Sequence, residues 1–92
     1  MKTILTITGS DSSGISGVQA DIRTIASLGA YAVSAITSIT MQNTIGIQSF
    51  YDLPAATVRG QVEAVVNDVE PQVVKIGMIR RPDFLQVIVD LI

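Results

Sequence analysis

The sequence has no cysteine and no histidine among its 92 residues. Their absence excludes disulfide bonds, thiolate nucleophiles, imidazole bases and the usual kinds of zinc site. Any acid–base chemistry would depend on aspartate and glutamate, of which the chain has eight. This chain therefore cannot itself supply a cysteine or histidine to an active site.

Positive charge is also scarce. The chain has six lysines and arginines and a net charge of −2, and only Arg80 and Arg81 are adjacent. Such dispersed cations do not form the basic surface that nucleic acids require, so we expect no nucleic-acid partner. The arginine pair could approach a phosphate, although an exposed pair beside a helix start is usually only solvated.

Long apolar runs are missing as well. No segment approaches the roughly 18 apolar residues of a membrane span, and Asp11 interrupts the apolar start before a signal-peptide core forms. We therefore expect a cytoplasmic protein without a membrane partner. Hydrophobic residues nevertheless make up 48% of the chain, which is high for so small a protein. This composition is typical of the core of something larger.

The hydrophobic pattern alternates between strands and helices. β-Branched runs predict strands at residues 3–8, 31–41 and 73–76, with a weaker candidate at 47–51. Helical patterns follow at residues 17–28, after Pro54 and after Pro82. This order predicts a parallel α/β sheet with helices on both faces. Because the last helical pattern reaches the end of the chain uncapped, we expect these residues to be the N-terminal part of a longer domain.

Polar residues follow three of the predicted strands, and ligands bind outside the carboxyl ends of strands in open α/β sheets. After the second strand stands Gln42, whose carboxamide donates and accepts side by side, as a ring nitrogen beside an exocyclic amine requires. Met78, after a later strand, could pack on a flat ring. The alternatives are a loop hydrogen bond for Gln42 and an ordinary core position for Met78.

The segment GSDSSG, residues 9–14, follows the first strand and matches the first six positions of a P-loop. The P-loop pattern then requires lysine and Ser/Thr, whereas Ile15 and Ser16 follow here. Without that lysine the loop lacks the cation that reaches the outer phosphates of a nucleotide. It could instead donate hydroxyl and N–H groups to a polar ligand, or form a tight turn in which Ser or Asp caps the helix.

Asp21 lies on the apolar side of the first predicted helix, with Val18, Ile25 and Leu28. A carboxylate is costly to bury there unless it meets a partner, which favours a functional role. The alternative is simple stabilisation by the helix dipole near the helix N-terminus.

Taken together, GSDSSG, GVQAD, MQNT and KIGM resemble the N-terminal half of the bacterial hydroxymethylpyrimidine/phosphomethylpyrimidine kinases of thiamine biosynthesis. These kinases belong to the ribokinase-like superfamily, and the resemblance extends over essentially the whole chain. It implies a ribokinase-like three-layer α/β/α fold with a mainly parallel sheet. Residues 1–92 would be the N-terminal part of a single kinase domain, with the ATP-binding half absent.

The resemblance also implies a function. It implies ATP- and Mg²⁺-dependent phosphorylation of 4-amino-5-hydroxymethyl-2-methylpyrimidine and then of its monophosphate, with this chain carrying the pyrimidine-binding side. Gln42 would bind the aminopyrimidine ring, Asp21 would hold the hydroxymethyl group, Gly9 and Met78 would line the pocket, and Val18 would lie beside them. We expect no catalytic residue and no metal ligand in this segment, and a homodimer when the enzyme is complete.

One departure from the family concerns the loop, which usually reads SSGGAG where this chain has SSGISG. Ile15 disfavours a positive φ, and Ser16 adds a hydroxyl near the expected ligand. Two alternatives stay open. One is a pyridoxine/pyridoxal kinase of the same superfamily. The other is a non-catalytic truncated module, which would be stable and soluble. If the chain is instead part of a kinase, we expect it to be inactive alone and to self-associate through its unfinished sheet.

Overall fold

Alternating β-branched and helical segments form four strands and three helices in the computed structural model, which describes residues 1–91. In chain order the elements are β1 (Thr3–Asp11), α1 (Gly17–Ser27), β2 (Tyr31–Asn43), β3 (Gly46–Asp52), α2 (Ala55–Val69), β4 (Val73–Ile76) and α3 (Pro82–Leu91). The elements predicted from the sequence are all present. Only the last residue of the final predicted helix, Ile92, lies outside the described residues.

The four strands form one sheet in the order β3-β2-β1-β4. The central strand β1 pairs in parallel with β2 and with β4, whereas β2 and β3 pair antiparallel. The prediction of a mainly parallel sheet is therefore confirmed, with β3 as the exception. Only Thr44 and Ile45 connect β2 to β3, and a parallel connection would need a crossover of about a dozen residues or more.

Helices cover both faces of the sheet. Leu5 and Ile7 of β1 are fully buried in one cluster with Val62 of α2 and Ile88 of α3. Thr6 hydrogen-bonds to Asp21 of α1. Because neighbouring residues of a strand point to opposite faces, α1 covers one face, and α2 and α3 cover the other. This is the three-layer arrangement that the resemblance implied.

Strand β1 continues three residues beyond its predicted end. Ser10 and Asp11 pair with Ile39 and Thr40 of β2, after a register irregularity that follows Thr8. Such an irregularity adds a residue to one strand and bends it. The start of the GSDSSG segment therefore belongs to the sheet and extends its carboxyl edge. Among residues 1–91, no helix is both long and apolar enough to cross a membrane.

Candidate functional site

A cleft of about 280 Å³ lies at the carboxyl ends of β1 and β4, beside the start of α1. Most of its lining residues are glycines or carry polar side chains. Its lining residues are Thr8, Gly9, Ser10, Asp11, Ser16, Gly17, Thr40, Lys75, Gly77 and Met78. The polar ends of three strands thus meet at one edge of the sheet, which is where ligands bind in open α/β folds.

The residues predicted from the sequence divide between this cleft and its surroundings. Gly9 and Met78 line the cleft. Met78 is 53% exposed, so it is not an ordinary core methionine. Val18 is buried within α1, with 6% of its surface exposed. Gln42 and Asp21 lie outside the lining of the cleft, and their contacts define two neighbouring features.

The loop after β1 is held together by Asp11, which is 3% exposed. Its Oδ1 accepts hydrogen bonds from the N–H of Ser13 at 2.8 Å and the hydroxyl of Ser13 at 2.7 Å. Its Oδ2 accepts from the N–H and hydroxyl of Ser16, both at 2.8 Å. Burial opposes the charged form of Asp11, but the bonds from Ser13 and Ser16 prevail and hold its pKa well below the usual range. The carboxylate is therefore ionised and acts only as an acceptor.

This arrangement answers whether the loop binds phosphate. Two N–H groups that a P-loop would offer to an anion, those of Ser13 and Ser16, already donate to the carboxylate of Asp11. A second anion at this place would meet a fixed negative charge. The loop is thus a tight strand-to-helix turn organised by Asp11 at the end of β1. The tight turn agrees with one of the sequence-based alternatives, but the N-cap residue of α1, Ser16, makes no side-chain capping bond. Sequence reasoning missed the role of Asp11, and the serines two and five residues after it were the available signal.

The departure Ile15-Ser16 fits this loop without strain. The left-handed conformations fall on Gly14 (φ 76°) and Gly17 (φ 67°), and not on Ile15, which is 67% exposed. The hydroxyl of Ser16 is bonded to Asp11. A Cβ at Gly17 would lie only 2.5 Å from the carbonyl oxygen of Gly9. Glycine is therefore required where α1 begins, whereas Ile15 is tolerated.

Asp21 of α1 contacts two side chains of the sheet, one on β1 and one on β4. The hydroxyl of Thr6 donates to its Oδ2 at 2.6 Å, and the Nζ of Lys75 lies 2.9 Å from the same oxygen. Burial opposes the charge on Asp21, but the Thr6 bond and the Lys75 ammonium lower its pKa below the ordinary value. Asp21 lies beyond the first turn of α1. These two partners therefore stabilise its charge more than the helix dipole does.

Lys75 is the cation that faces the cleft, and sequence reasoning did not select it. Its side chain lines both the first cleft and a second cleft of about 290 Å³ between α1 and β4. Asp21 lines only the second cleft. The positive end of the Asp21–Lys75 pair is therefore the end presented to the first cleft.

Gln42 lies at the exit of β2, against the loop. Its backbone N–H donates to the hydroxyl of Ser12 at 2.8 Å, and that hydroxyl donates to the Gln42 carbonyl at 2.5 Å. Its side-chain Nε2 donates to Oγ of Ser13 at 3.3 Å. The side chain is half-buried and is fixed by the same serines that surround Asp11.

The arginine pair is engaged within the chain. Arg80 donates to both carboxylate oxygens of Asp52 and stacks 3.8 Å above the ring of Phe50. Arg81 donates to both oxygens of Asp83. These contacts give both arginines a role in packing the surface near α3.

Residues 11–92 match the family model described as phosphomethylpyrimidine kinase. This chain belongs to that family. It is 40% identical, over all of its length, to the hydroxymethylpyrimidine/phosphomethylpyrimidine kinase of Haemophilus influenzae, of which it covers 34%. It is 49% identical over 83% of its length to the Mycobacterium tuberculosis protein of the same name, of which it covers 28%.

Solved structures agree with this assignment. The phosphomethylpyrimidine kinase of Clostridium difficile superposes with a TM-score of 0.94 and 45% identity, over 99% of this chain and 39% of that one. The pyridoxal kinase of Staphylococcus aureus, solved with AMP-PCP and pyridoxal, gives a TM-score of 0.89 and 28% identity, over 99% of this chain and 34% of that one. The ribokinase-like fold is therefore shown, and the chain spans about a third of the length of the relatives it matches.

Proposed function

We propose that this chain carries the pyrimidine-binding side of a hydroxymethylpyrimidine/phosphomethylpyrimidine kinase. The whole activity would phosphorylate 4-amino-5-hydroxymethyl-2-methylpyrimidine and then its monophosphate. The observation that carries the proposal is the meeting of Gly9 and Met78 in one cleft, at the carboxyl ends of β1 and β4, in a chain of this family. In this proposal residues 1–92 are the N-terminal part of a single kinase domain.

The proposed roles follow from the contacts. Met78 would pack on the flat face of the ring, since a half-exposed thioether at a cleft wall suits an aromatic ligand. Gln42 would bind the ring nitrogen and its exocyclic amine. Asp21 would hold the hydroxymethyl end together with Lys75, because Lys75 is the residue of that ion pair that lines the cleft. Val18 would support the helix that carries Asp21.

ATP with Mg²⁺ is the proposed phosphoryl donor, by analogy with a structural relative, the Staphylococcus aureus pyridoxal kinase, which was solved with AMP-PCP. The described residues do not fit those groups. Residues 1–91 contain no group of three or more acidic or other metal-binding side chains that could hold a metal ion, and the loop after β1 uses its N–H groups on Asp11. We therefore assign no phosphoryl-transfer step to this segment. A homodimer and a cytoplasmic location stay predictions from the sequence.

A second candidate function is pyridoxal phosphorylation, which the structural likeness to the Staphylococcus aureus pyridoxal kinase favours. The two functions differ in the ring that binds. Pyridoxal carries no exocyclic amine beside its ring nitrogen, whereas the aminopyrimidine does, and a carboxamide can satisfy both groups of the pyrimidine at once.

The test is a titration of the 92-residue chain with 4-amino-5-hydroxymethyl-2-methylpyrimidine and, separately, with pyridoxal. Backbone amide NMR monitors both titrations. We expect the pyrimidine to bind more tightly and to shift the resonances of Gly9, Gly77 and Met78. Met78→Ala should weaken this binding. Met41→Ala, which truncates a 41% exposed methionine outside the cleft lining, should not.

Tighter binding of pyridoxal would replace the proposal with the second candidate. Resonance shifts confined to residues away from the cleft, or no binding of either ring, would contradict the proposed site.

A further inference from the structure

The orientation of the Gln42 side-chain amide is determined by which of its neighbours carries a proton to donate. Asp11 is an ionised carboxylate and offers no proton, so the bond between its Oδ1 and the Oγ of Ser13, at 2.7 Å, must use the hydroxyl proton of Ser13. The N–H of Ser13 holds the same oxygen at 2.8 Å and keeps the serine in place. Ser13 therefore has no hydroxyl proton left for any other partner.

The Oγ of Ser13 can only accept from Gln42, whose Nε2 lies 3.3 Å away. If the amide were turned over, Oε1 of Gln42 would face a hydroxyl oxygen that has no proton to give, and two acceptors would oppose each other. The nitrogen of the amide must therefore face Ser13. The bond to Ser13 uses one N–H of the amide, so the amide presents Oε1 and its second N–H in one fixed order.

We propose that Asp11 and Ser13 set the orientation of the Gln42 amide and thereby make the site select a ring with an amine beside a ring nitrogen over a ring with a carbonyl beside a ring N–H. The inference rests on the proposed function, because it names the ligand class of the same site. The amine donates to Oε1 of Gln42 while the ring nitrogen accepts from its N–H. An oxo ring presents the opposite order of donor and acceptor. Ser13 is thus a positioning residue that determines specificity through Gln42.

Ser12 provides a matched control, because its hydroxyl bonds the backbone N–H and carbonyl of Gln42 and not the side-chain amide. Removing that hydroxyl loosens the loop without releasing the amide. Ser13→Thr keeps a hydroxyl at the same place and should keep the orientation. The two serines therefore separate loop anchoring from amide orientation.

The experiment measures affinities for 4-amino-5-hydroxymethyl-2-methylpyrimidine and for its 4-oxo analogue. We expect the unaltered 92-residue chain to prefer the amino ring by about tenfold or more, the effect of about one mismatched hydrogen bond. Ser13→Ala should reduce the ratio to within about twofold, and Ser13→Thr should restore it. Ser12→Ala should weaken both rings by the same factor. A Ser13→Ala chain that keeps the full preference would overturn the inference.

A second measurement needs no ligand. In the free chain, the side-chain NH₂ resonances of Gln42 should shift in Ser13→Ala and stay close to their original positions in Ser13→Thr and Ser12→Ala. Unchanged resonances in Ser13→Ala would show that the amide is not held by Ser13. If neither ring binds the unaltered chain, the proposed function and the ligand selection both fail, while these resonances still decide whether Ser13 orients Gln42.

Discussion

The Nζ of Lys75 lies 2.9 Å from Oδ2 of Asp21, and this pair joins β4 to α1. Thr6 of β1 donates to the same carboxylate oxygen. The side chain of Asp21 is only 19% exposed, whereas that of Lys75 is 48% exposed. Because Lys75 is half-exposed, the ion pair itself contributes modestly, and the bond from the fully buried Thr6 makes Asp21 costly to alter.

Asp21→Asn should therefore lower the free energy of unfolding by about 1 kcal/mol at pH 7. The pKa of Asp21 is lowered in the folded chain, so the stability from its charge is present above the unfolded value of about 4 and is lost as pH falls through the folded pKa. The difference between the two chains should be largest at neutral pH and should shrink below about pH 4. Urea unfolding from pH 2 to 7 measures it.

The control for this prediction is Asp68→Asn, which removes an exposed carboxylate from α2. It changes the net charge by the same amount and should change stability by less than about 0.5 kcal/mol. Equal effects of the two substitutions at every pH would show that net charge, and not the contact with Thr6 and Lys75, governs the result.

The elements of this fold were predictable because each has a clear hydrophobic period. The valines of α2 illustrate this, since Val58 and Val62 are both fully buried. The extension of β1 through Gly9 was not predictable, because Gly, Ser and Asp are typical turn residues and only pairing with β2 keeps them extended. Leu28, which was predicted to share the apolar side of α1, is instead 78% exposed at the C-cap.

The candidate site was partly predictable for a related reason. Gly9 follows the first strand predicted from the sequence and Met78 comes shortly after β4, and the carboxyl ends of parallel strands converge. The partner of Asp21 could not be predicted, because Lys75 is 54 residues away and meets it only through the pairing of β1 with β4. Asp11 was overlooked because an aspartate followed by serines fits an ordinary turn as well as it fits a buried acceptor.

Gly17→Ala should destabilise the chain strongly. The position has a φ of 67°, and a Cβ there would lie 2.5 Å from the carbonyl oxygen of Gly9. Positive φ and overpacking each cost about 1–3 kcal/mol, so we expect a loss of at least about 2 kcal/mol in urea unfolding. Amide resonances of the loop after β1 should also move.

The matched substitution is Gly60→Ala, in the interior of α2, where a Cβ would meet nothing within 4 Å. Alanine there should stabilise the chain by about 0.5–1 kcal/mol, because it restricts the unfolded chain more than glycine does. If both alanines lowered stability equally, the close approach of Gly17 to Gly9 would not be the cause.

Asp11→Ala should release the loop between β1 and α1. It removes the acceptor of the Ser13 and Ser16 N–H groups and leaves both serine hydroxyls without their partner. We expect faster hydrogen exchange at these two amides, while the amides of β4 keep their protection. Because the pKa of Asp11 is held far below its ordinary value, the unaltered loop should keep its protection as pH falls through 4.

Asp83→Ala is the comparison for this experiment, since that carboxylate pairs with Arg81 at the start of α3, far from the loop in the sequence. It should leave exchange at Ser13 and Ser16 unchanged. Equal protection of these amides in the unaltered chain and in Asp11→Ala would mean that the turn holds without its aspartate.

Gln61→Met should uncover the edge of β2. The Oε1 of Gln61 accepts from the N–H of Ile36, and its Nε2 donates to the carbonyl of Ile36, both at 2.8 Å. Pairing between β2 and β3 begins only at Ser38, so the glutamine of α2 satisfies the strand where β3 does not reach. Removing the amide of Gln61 leaves one donor and one acceptor of β2 on an open edge, at a cost of about 1–3 kcal/mol. Such an edge can pair with another chain.

Urea unfolding and light scattering should therefore record lower stability and more self-association in Gln61→Met than in Gln86→Met, which alters an exposed glutamine of α3. If the two variants matched in both measurements, the amide of Gln61 would have no protective role at this edge.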